Sequence, residues 1–294
     1  MFGGVVFVFG LIFGSFLNVC IYRLPRGLSV VSPRSACPTC GKQIAAYDNV
    51  PVLSWLLLRG RCRACHTRIT PRYMIVELLL GLLFLACFAE FGLRVETLKW
   101  CIFSFLLLGL VFTDAETHLL PDKLTLPGLA LGIAWSLLIA VPGPLGFYYG
   151  WSASPALLSL GDALIGAAVG AGFIYGTAVL YLRLRGAEGM GMGDVKLMAM
   201  VGAFLGAALT LFVLVTASVL GGFYGAMIVL NIFRKRLSRY RRGPKRSSPV
   251  ARAWQAASLS LRFYEMPFGV LLGSTALFAL FAGQRILIWY LGRF

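Results

Sequence analysis

The sequence predicts an all-α polytopic membrane protein with about eight transmembrane helices. Three observations predict it. Of 294 residues, 59% are hydrophobic and only 13% are charged, which is more apolar surface than a water-soluble core buries. The apolar residues gather in runs close to the roughly 20 residues that a helix needs to cross the hydrocarbon layer. The Lys and Arg residues concentrate in the segments between alternate runs.

The runs cover residues 2–22, 73–92, 98–113, 124–141, 160–182, 195–208, 209–232 and 267–291. Separating the sixth from the seventh requires a turn at Gly206; without it the count is seven. The first run has no basic start and no small-residue cleavage site, and Arg23 and Arg26 follow it, so it is read as a retained helix rather than a secretory signal. Residues 23–72, Lys123, residues 183–196 and residues 234–262 together hold 23 of the 27 Lys and Arg. Cytoplasmic loops carry this excess, so those segments face the cytoplasm, with an even number of spans and the N-terminus outside. Arg94, Lys99, Arg285 and Arg293 fall on the other side. The net charge of +16 then reflects topology and attraction to anionic membrane lipids, not nucleic acid. The segment from Arg234 to Arg262 ends in Trp254, Leu259 and Leu261 among Ala and Arg, with Phe263 just beyond, as an interfacial lipid anchor would. The outward segment from Pro142 to Pro155 reads as irregular chain at the headgroups.

Four of the seven cysteines form Cys37-Pro-Thr-Cys40 and Cys62-Arg-Ala-Cys65. Two Cys-x-x-Cys knuckles supply the four thiolates of a tetrahedral structural zinc site, and Arg61, Arg63 and Lys42 offset its charge. Two disulfides are the competing reading, against which stands the reducing cytoplasm. His66 is a further potential ligand, although four cysteines already close the shell. The fold class therefore includes a cytoplasmic four-cysteine zinc-binding loop domain, whose closed metal would fold the loop and not activate water. Cys20, Cys87 and Cys101 lie in apolar runs and read as small buried hydrophobes.

Only 11 residues are acidic, so each one beside hydrocarbon is informative. Asp114 ends the run that descends through Phe103 to Phe112, where the helix dipole disfavours a carboxylate, and a membrane-edge acid held there is a functional candidate. Asp194 opens the next inward helix after Gly189-Met190-Gly191-Met192-Gly193, and reads either as an N-cap with turn glycines or as a second functional acid. Asp122 also reads as an N-cap. One topology places Asp114 and Asp194 at the same membrane face. Two neighbouring carboxylates can share a proton, one activating water while the other protonates a peptide carbonyl.

Together with these features, Gly14-Ser15-Phe16-Leu17-Asn18-Val19, Ile21-Tyr22-Arg23-Leu24-Pro25, Pro71-Arg72-Tyr73 with Val76-Glu77, Leu120-Pro121-Asp122, Gly191-Met192-Gly193-Asp194-Val195-Lys196 and Pro267-Phe268-Gly269 resemble bacterial type IV prepilin peptidase, in family order. The resemblance implies a membrane aspartic endopeptidase that removes the basic leader of type IV prepilins or type II secretion pseudopilins after glycine, at the cytoplasmic face of the bacterial inner membrane. Asp114 and Asp194 match its catalytic pair. It also implies N-methylation of the new N-terminal residue with S-adenosylmethionine as methyl donor, whose site no glycine-rich motif locates.

On this reading residues 1–22 are the first transmembrane helix, 23–72 the zinc-binding loop domain and 73–294 the transmembrane aspartic peptidase domain. Gly191 and Gly193 would admit an extended substrate backbone. Glu77 would bind substrate or pair with Arg72 or Tyr73, and Lys196 would bind substrate, tune the aspartates or snorkel to the interface. Acidic counter-charge for a basic leader is limited to Asp48, Glu116, Asp122, Glu188 and Glu265. The other classes of function are a proton-coupled membrane transporter, which predicts paired broken helices in internal repeats, and a non-catalytic zinc-loop assembly scaffold, which predicts dispensable aspartates.

Overall fold

The computed structural model describes residues 2–138, 155–186, 191–241, 248–261 and 267–292. Helix α1 (Phe2–Arg23) runs into a short 3-10 turn, Leu24–Arg26, and then into the cysteine loop, which contains a second 3-10 turn, Ala46–Asn49, and the short helix α2 (Leu53–Leu57). Then come α3 (Arg72–Phe91), α4 (Val95–Thr117), α5 (Asp122–Leu138), α6 (Pro155–Arg185), α7 (Met192–Arg241), α8 (Pro249–Leu261) and α9 (Phe268–Phe278), which passes through a π-helical turn, Ala279–Gly283, into α10 (Gln284–Leu291). The segment 142–155 expected to lie outside the membrane falls almost wholly beyond the described residues, as do Gly189, Met190, Glu188 and Glu265.

Six of the described spans are long and apolar enough to cross a membrane: α1, α3, α4, α6, α7 and the α9–α10 unit. The difference from the expected eight lies in α5, which has only 17 residues, and in α7, which counts once although it is broken. Gly206 has φ 76° and ψ 176°, backbone that is essentially reserved for glycine. Both sides of the break touch one residue of α6: a Cβ on Gly170 would meet Met198 O at 2.4 Å and Thr210 Cγ2 at 3.1 Å. In a continuous helix Met198 and Thr210 would stand about 18 Å apart. The chain therefore folds back at Gly206, and α7 is a helical hairpin.

The turn is held from outside. Ala207 N–H, released from helical bonding by the break, donates to Asp162 Oδ1 of α6 at 3.2 Å. Lys99 of α4 is 5% exposed, its ammonium 4.5 Å from the Trp100 ring centre and within electrostatic reach of Asp162. The charge count placed Lys99 on the outer side, at the outer end of the run 98–113. The helix instead begins at Val95 and draws Lys99 into the bundle, where Asp162 and the indole compensate it.

Without a hydrophobic force between helices in lipid, close association needs small residues at the contacts. A Cβ on Gly14 of α1 would lie 2.7 Å from Glu77 Cα of α3, and one on Gly202 of α7 would lie 2.1 Å from Gly166 O of α6. At these crossings the backbones themselves are the contact surface. Helix α4 runs through the middle, burying Phe103, Leu107 and Leu110 completely, and Phe103 stacks on Phe204 of α7 with ring centres 4.7 Å apart. Cys20, Cys87 and Cys101 are buried, as expected of small apolar side chains. Helix α8 meets α7 through an edge contact between Trp254 and Phe233.

Candidate active site

The two aspartates come from helices far apart in sequence. Helix α4 ends at Thr117, one turn beyond Asp114, where His118 takes left-handed backbone (φ 52°) and its N–H donates to Asp114 O at 2.9 Å. The Asp114 carboxylate meets the start of α9: Val270 N–H donates to its Oδ2 at 2.9 Å. A Cβ on Gly269 would lie 2.8 Å from that same oxygen, so the Pro267-Phe268-Gly269 motif is the cradle in which Asp114 rests. Proline starts the helix and glycine leaves room for the carboxylate, while the orphan N–H groups of the first turn hold it. The motif was visible in the sequence; its contact with a residue 156 positions away had no local signal.

Asp194 is not an N-cap. Helix α7 begins at Met192, which puts Asp194 inside the first turn, its N–H donating to Gly191 O at 3.2 Å. Asp114 and Asp194 are both buried, at 5% and 9% exposure, and Asp114 lies close enough for its charge to act on Asp194. Leu120 links their surroundings, since a Cβ on Gly193 would meet Leu120 Cβ at 3.0 Å and one on Gly269 would meet Leu120 Cδ1 at 3.3 Å. Two mutually interacting carboxylates, walled by an apolar side chain at one end of the helical bundle, can divide the work of acid and base between them.

The neighbouring charges are already engaged. Asp122 is the first residue of α5 and accepts from Lys196 Nζ at 2.7 and 2.8 Å; this ion pair ties the start of α5 to that of α7. Arg72 pairs with Glu116, and Arg63 grips Asp48 through two nitrogens, which holds the Asp48 carboxyl below its usual range. Glu77 pairs with neither Arg72 nor Tyr73: its Oε2 accepts Val52 N–H of the cysteine loop at 2.7 Å. Of the inner acidic residues foreseen as counter-charge, the three described ones thus each have a basic partner. Because the Lys196–Asp122 pair is partly exposed, its loss should cost only about 0.2–1 kcal/mol. Lys196→Met is accordingly expected to leave Tm within a few degrees of wild type, as read by thermal unfolding in detergent.

The sulfurs of Cys37, Cys40, Cys62 and Cys65 all lie within 4.8 Å of one another, a group that could hold a metal ion. The two knuckles repeat one hydrogen-bond pattern. Cys37 N–H donates to Lys42 O and Gly41 N–H to Cys37 O; Cys62 N–H donates to Thr67 O and His66 N–H to Cys62 O. Gly41 (φ 70°) and His66 (φ 56°) occupy equivalent left-handed corners. That explains His66: it closes a turn, exposed, outside the sulfur quartet. Backbone N–H groups of Cys40 and Thr39 aimed at Cys37 hold its thiol below its ordinary range.

Residues 8–91 match the family described as Bacterial Peptidase A24 N-terminal domain, and residues 100–226 match the Type IV leader peptidase family. Among the relatives that carry the name Prepilin leader peptidase/N-methyltransferase are those of three bacteria. That of Myxococcus xanthus is 43% identical over 232 residues, 78% of this chain and 64% of the relative, so the alignment spans just under two thirds of that protein. That of Aeromonas hydrophila is 35% identical over 314 residues, 99% of this chain and 94% of the relative. That of Neisseria gonorrhoeae is 35% identical over 246 residues, 76% of this chain and 80% of the relative. No solved structure matches the chain. With both aspartates inside the second matched segment, all four clustered cysteines inside the first, and one relative aligned over nearly its whole length, the chain belongs to the type IV leader peptidase family.

Proposed function

We propose that this protein cleaves the basic leader of type IV prepilins or type II secretion pseudopilins after glycine, and N-methylates the residue so exposed. The observation that carries the reading is the buried pair Asp114 and Asp194, brought to one end of the bundle by α4 and α7 and fixed by the start of α9. One carboxylate takes a proton from water, which attacks the scissile carbonyl carbon. The other gives its proton to the carbonyl oxygen. When the tetrahedral intermediate collapses, the carboxyl that took the water's proton gives it to the amine nitrogen as the C–N bond breaks, and the other carboxylate takes a proton back from a hydroxyl of the intermediate as the carbonyl re-forms, which restores both groups. Gly191, whose missing side chain leaves open space, lets an extended substrate backbone approach, and Gly193 makes room for Leu120 beside Asp194. Lys196 and Glu77 act on substrate through the elements they hold, α5 and the cysteine loop. The site faces the cytoplasm at the bacterial inner membrane, where the basic leader of a pilin precursor would lie.

Cys37, Cys40, Cys62 and Cys65 are the ligands of a structural zinc. Zn–S bonds of about 2.3 Å in a tetrahedron set sulfurs about 3.8 Å apart, and Cys37 Sγ and Cys65 Sγ are 3.8 Å apart. Such a closed site orders the loop. Cys62→Ser is expected to reduce bound zinc to less than half an equivalent by elemental analysis and to open residues 23–72 to limited proteolysis while the helical bundle persists. S-adenosylmethionine supplies an electrophilic methyl group for the second activity. The described residues offer no glycine-rich strand-to-helix turn, so its cradle would be of another kind. Anionic lipids are the partners of the basic inner loops, and nucleic acid is not a partner. Family membership disfavours the transporter and scaffold readings.

The test uses the full chain in lipid with a peptide carrying a basic leader, a Gly-Phe junction and an apolar helix, followed by mass. A cut after glycine, with a methyl group added to the new terminus when the donor is present, is the expected result. Intact peptide over several such substrates, with folded protein, would overturn the proposal.

A further inference from the structure

One part of the cysteine loop is bonded to the side of helix α3. Helix α3 has 20 residues, about 30 Å at 1.5 Å per residue, which matches the hydrocarbon thickness of about 30 Å. Glu77 is five residues in from Arg72, so its Cα lies about 7–8 Å below the end of the helix. It is 8% exposed, and its carboxylate accepts Val52 N–H at 2.7 Å. Side chains on a helix lean toward its N-terminus, so Val52 is pinned between the level of Arg72 and that of Glu77. Val52 is also strained, with φ 62°, rare for a β-branched residue, so the Glu77 bond holds the chain in a conformation it would not adopt alone.

Helix α2 starts at the next residue, and its two faces differ. Ser54 is buried, and Trp55 turns inward, its Nε1–H donating to Ile69 O at 3.3 Å. Leu53, Leu56 and Leu57, spaced to share the other face, are 52%, 54% and 74% exposed. Beside them Arg59 and Arg61 make no side-chain hydrogen bond or ion pair among the described residues, whereas Arg63 is held by Asp48. Leu57, Arg59, Arg61 and His66 line an open pocket of about 460 Å³.

We propose that α2 is an interfacial anchor: Leu53, Leu56 and Leu57 lie among the acyl chains of the leaflet on the loop's side, and Arg59 and Arg61 take anionic lipid headgroups. Glu77 sets the depth, apolar side chains at such a level insert about 5–10 Å into the headgroup boundary, and free arginines at the rim match negative lipid charge. The cysteine loop thereby lies flat on the bilayer instead of projecting from it. This does not depend on the peptidase reading.

The test places a photo-crosslinking benzoyl-phenylalanine at Leu57, and separately at Thr39 on the exposed tip of the first knuckle, in the full chain reconstituted with mixed zwitterionic and anionic lipid. Irradiation is followed by mass analysis of the adducts. Lipid adducts at Leu57 should exceed those at Thr39 by at least about tenfold. The anionic share of the adducts should fall toward the bulk composition when Arg59→Gln and Arg61→Gln are combined. Equal lipid labelling at both positions, crosslinking of Leu57 to a second copy of the chain or to added prepilin peptide, or no lipid adduct at Leu57 would each overturn the proposal.

Discussion

Asp114→Asn and Asp194→Asn are each expected to lower kcat/KM for leader cleavage by about 1,000-fold or more, the scale of positioned acid–base catalysis. Asparagine has the size of aspartate and keeps an oxygen that can accept the Val270 N–H now bonded to Asp114. It can neither take a proton from water nor deliver one to a carbonyl. Since the two carboxyls act as a unit, the double variant should be hardly worse than either single one. Tm and methyl transfer to a peptide that already begins at the mature residue should stay close to wild type, which separates lost chemistry from lost folding. Cleavage within tenfold of wild type in either variant would remove that residue from the proposed pair.

Why was that pair legible in the sequence when its surroundings were not? Asp114 and Asp194 stand out because acids are scarce and hydrocarbon-bounded runs fix which end of each helix they occupy. The cysteine quartet is legible for a similar reason, a short-range spacing that few other structures produce. Gly206 was readable as a turn because it interrupts an apolar stretch too long for one crossing. What answers these residues lies on other helices. Asp162 capping Ala207, Glu77 holding Val52, Leu120 packed where Gly193 and Gly269 lack side chains, and Lys196 paired with Asp122 all join residues remote in sequence. Besides substrate, sequence reasoning offered Glu77 its near neighbours Arg72 and Tyr73; it offered Asp122 the role of a cap, and Asp194 that of a cap as the alternative to a functional acid. In each case the choice was local, whereas the observed partner arrives by tertiary packing. The two knuckles likewise looked like spaced cysteines, and their identical hydrogen bonds, with His66 standing where the first has Gly41, appear only in the folded chain.

Gly206→Ala is expected to cost about 2–6 kcal/mol of stability, combining strained backbone with a displaced buried acceptor, and to lower cleavage with it. Alanine resists φ 76° and ψ 176°, and its Cβ would stand 2.1 Å from Asp162 Oδ2. The carboxylate cannot swing away freely, because it receives Ala207 N–H and compensates Lys99. Nor can the hairpin slide along α6, whose Gly166 already touches Gly202 through backbone atoms. The first arm of the hairpin carries Asp194 at its far end, about 18 Å from the turn, so a tilt at Gly206 becomes a displacement at the proposed catalytic pair. The steric part is separable from the backbone part. In an Asp162→Ala background the obstructing carboxylate is gone, so Gly206→Ala should add less destabilisation than it does alone, a non-additivity of about 0.5–3 kcal/mol for residues in contact. Thermal unfolding of the two single variants and the double variant measures it. Strict additivity would mean that the backbone alone sets the requirement for glycine, and that Asp162 caps the turn without shaping it.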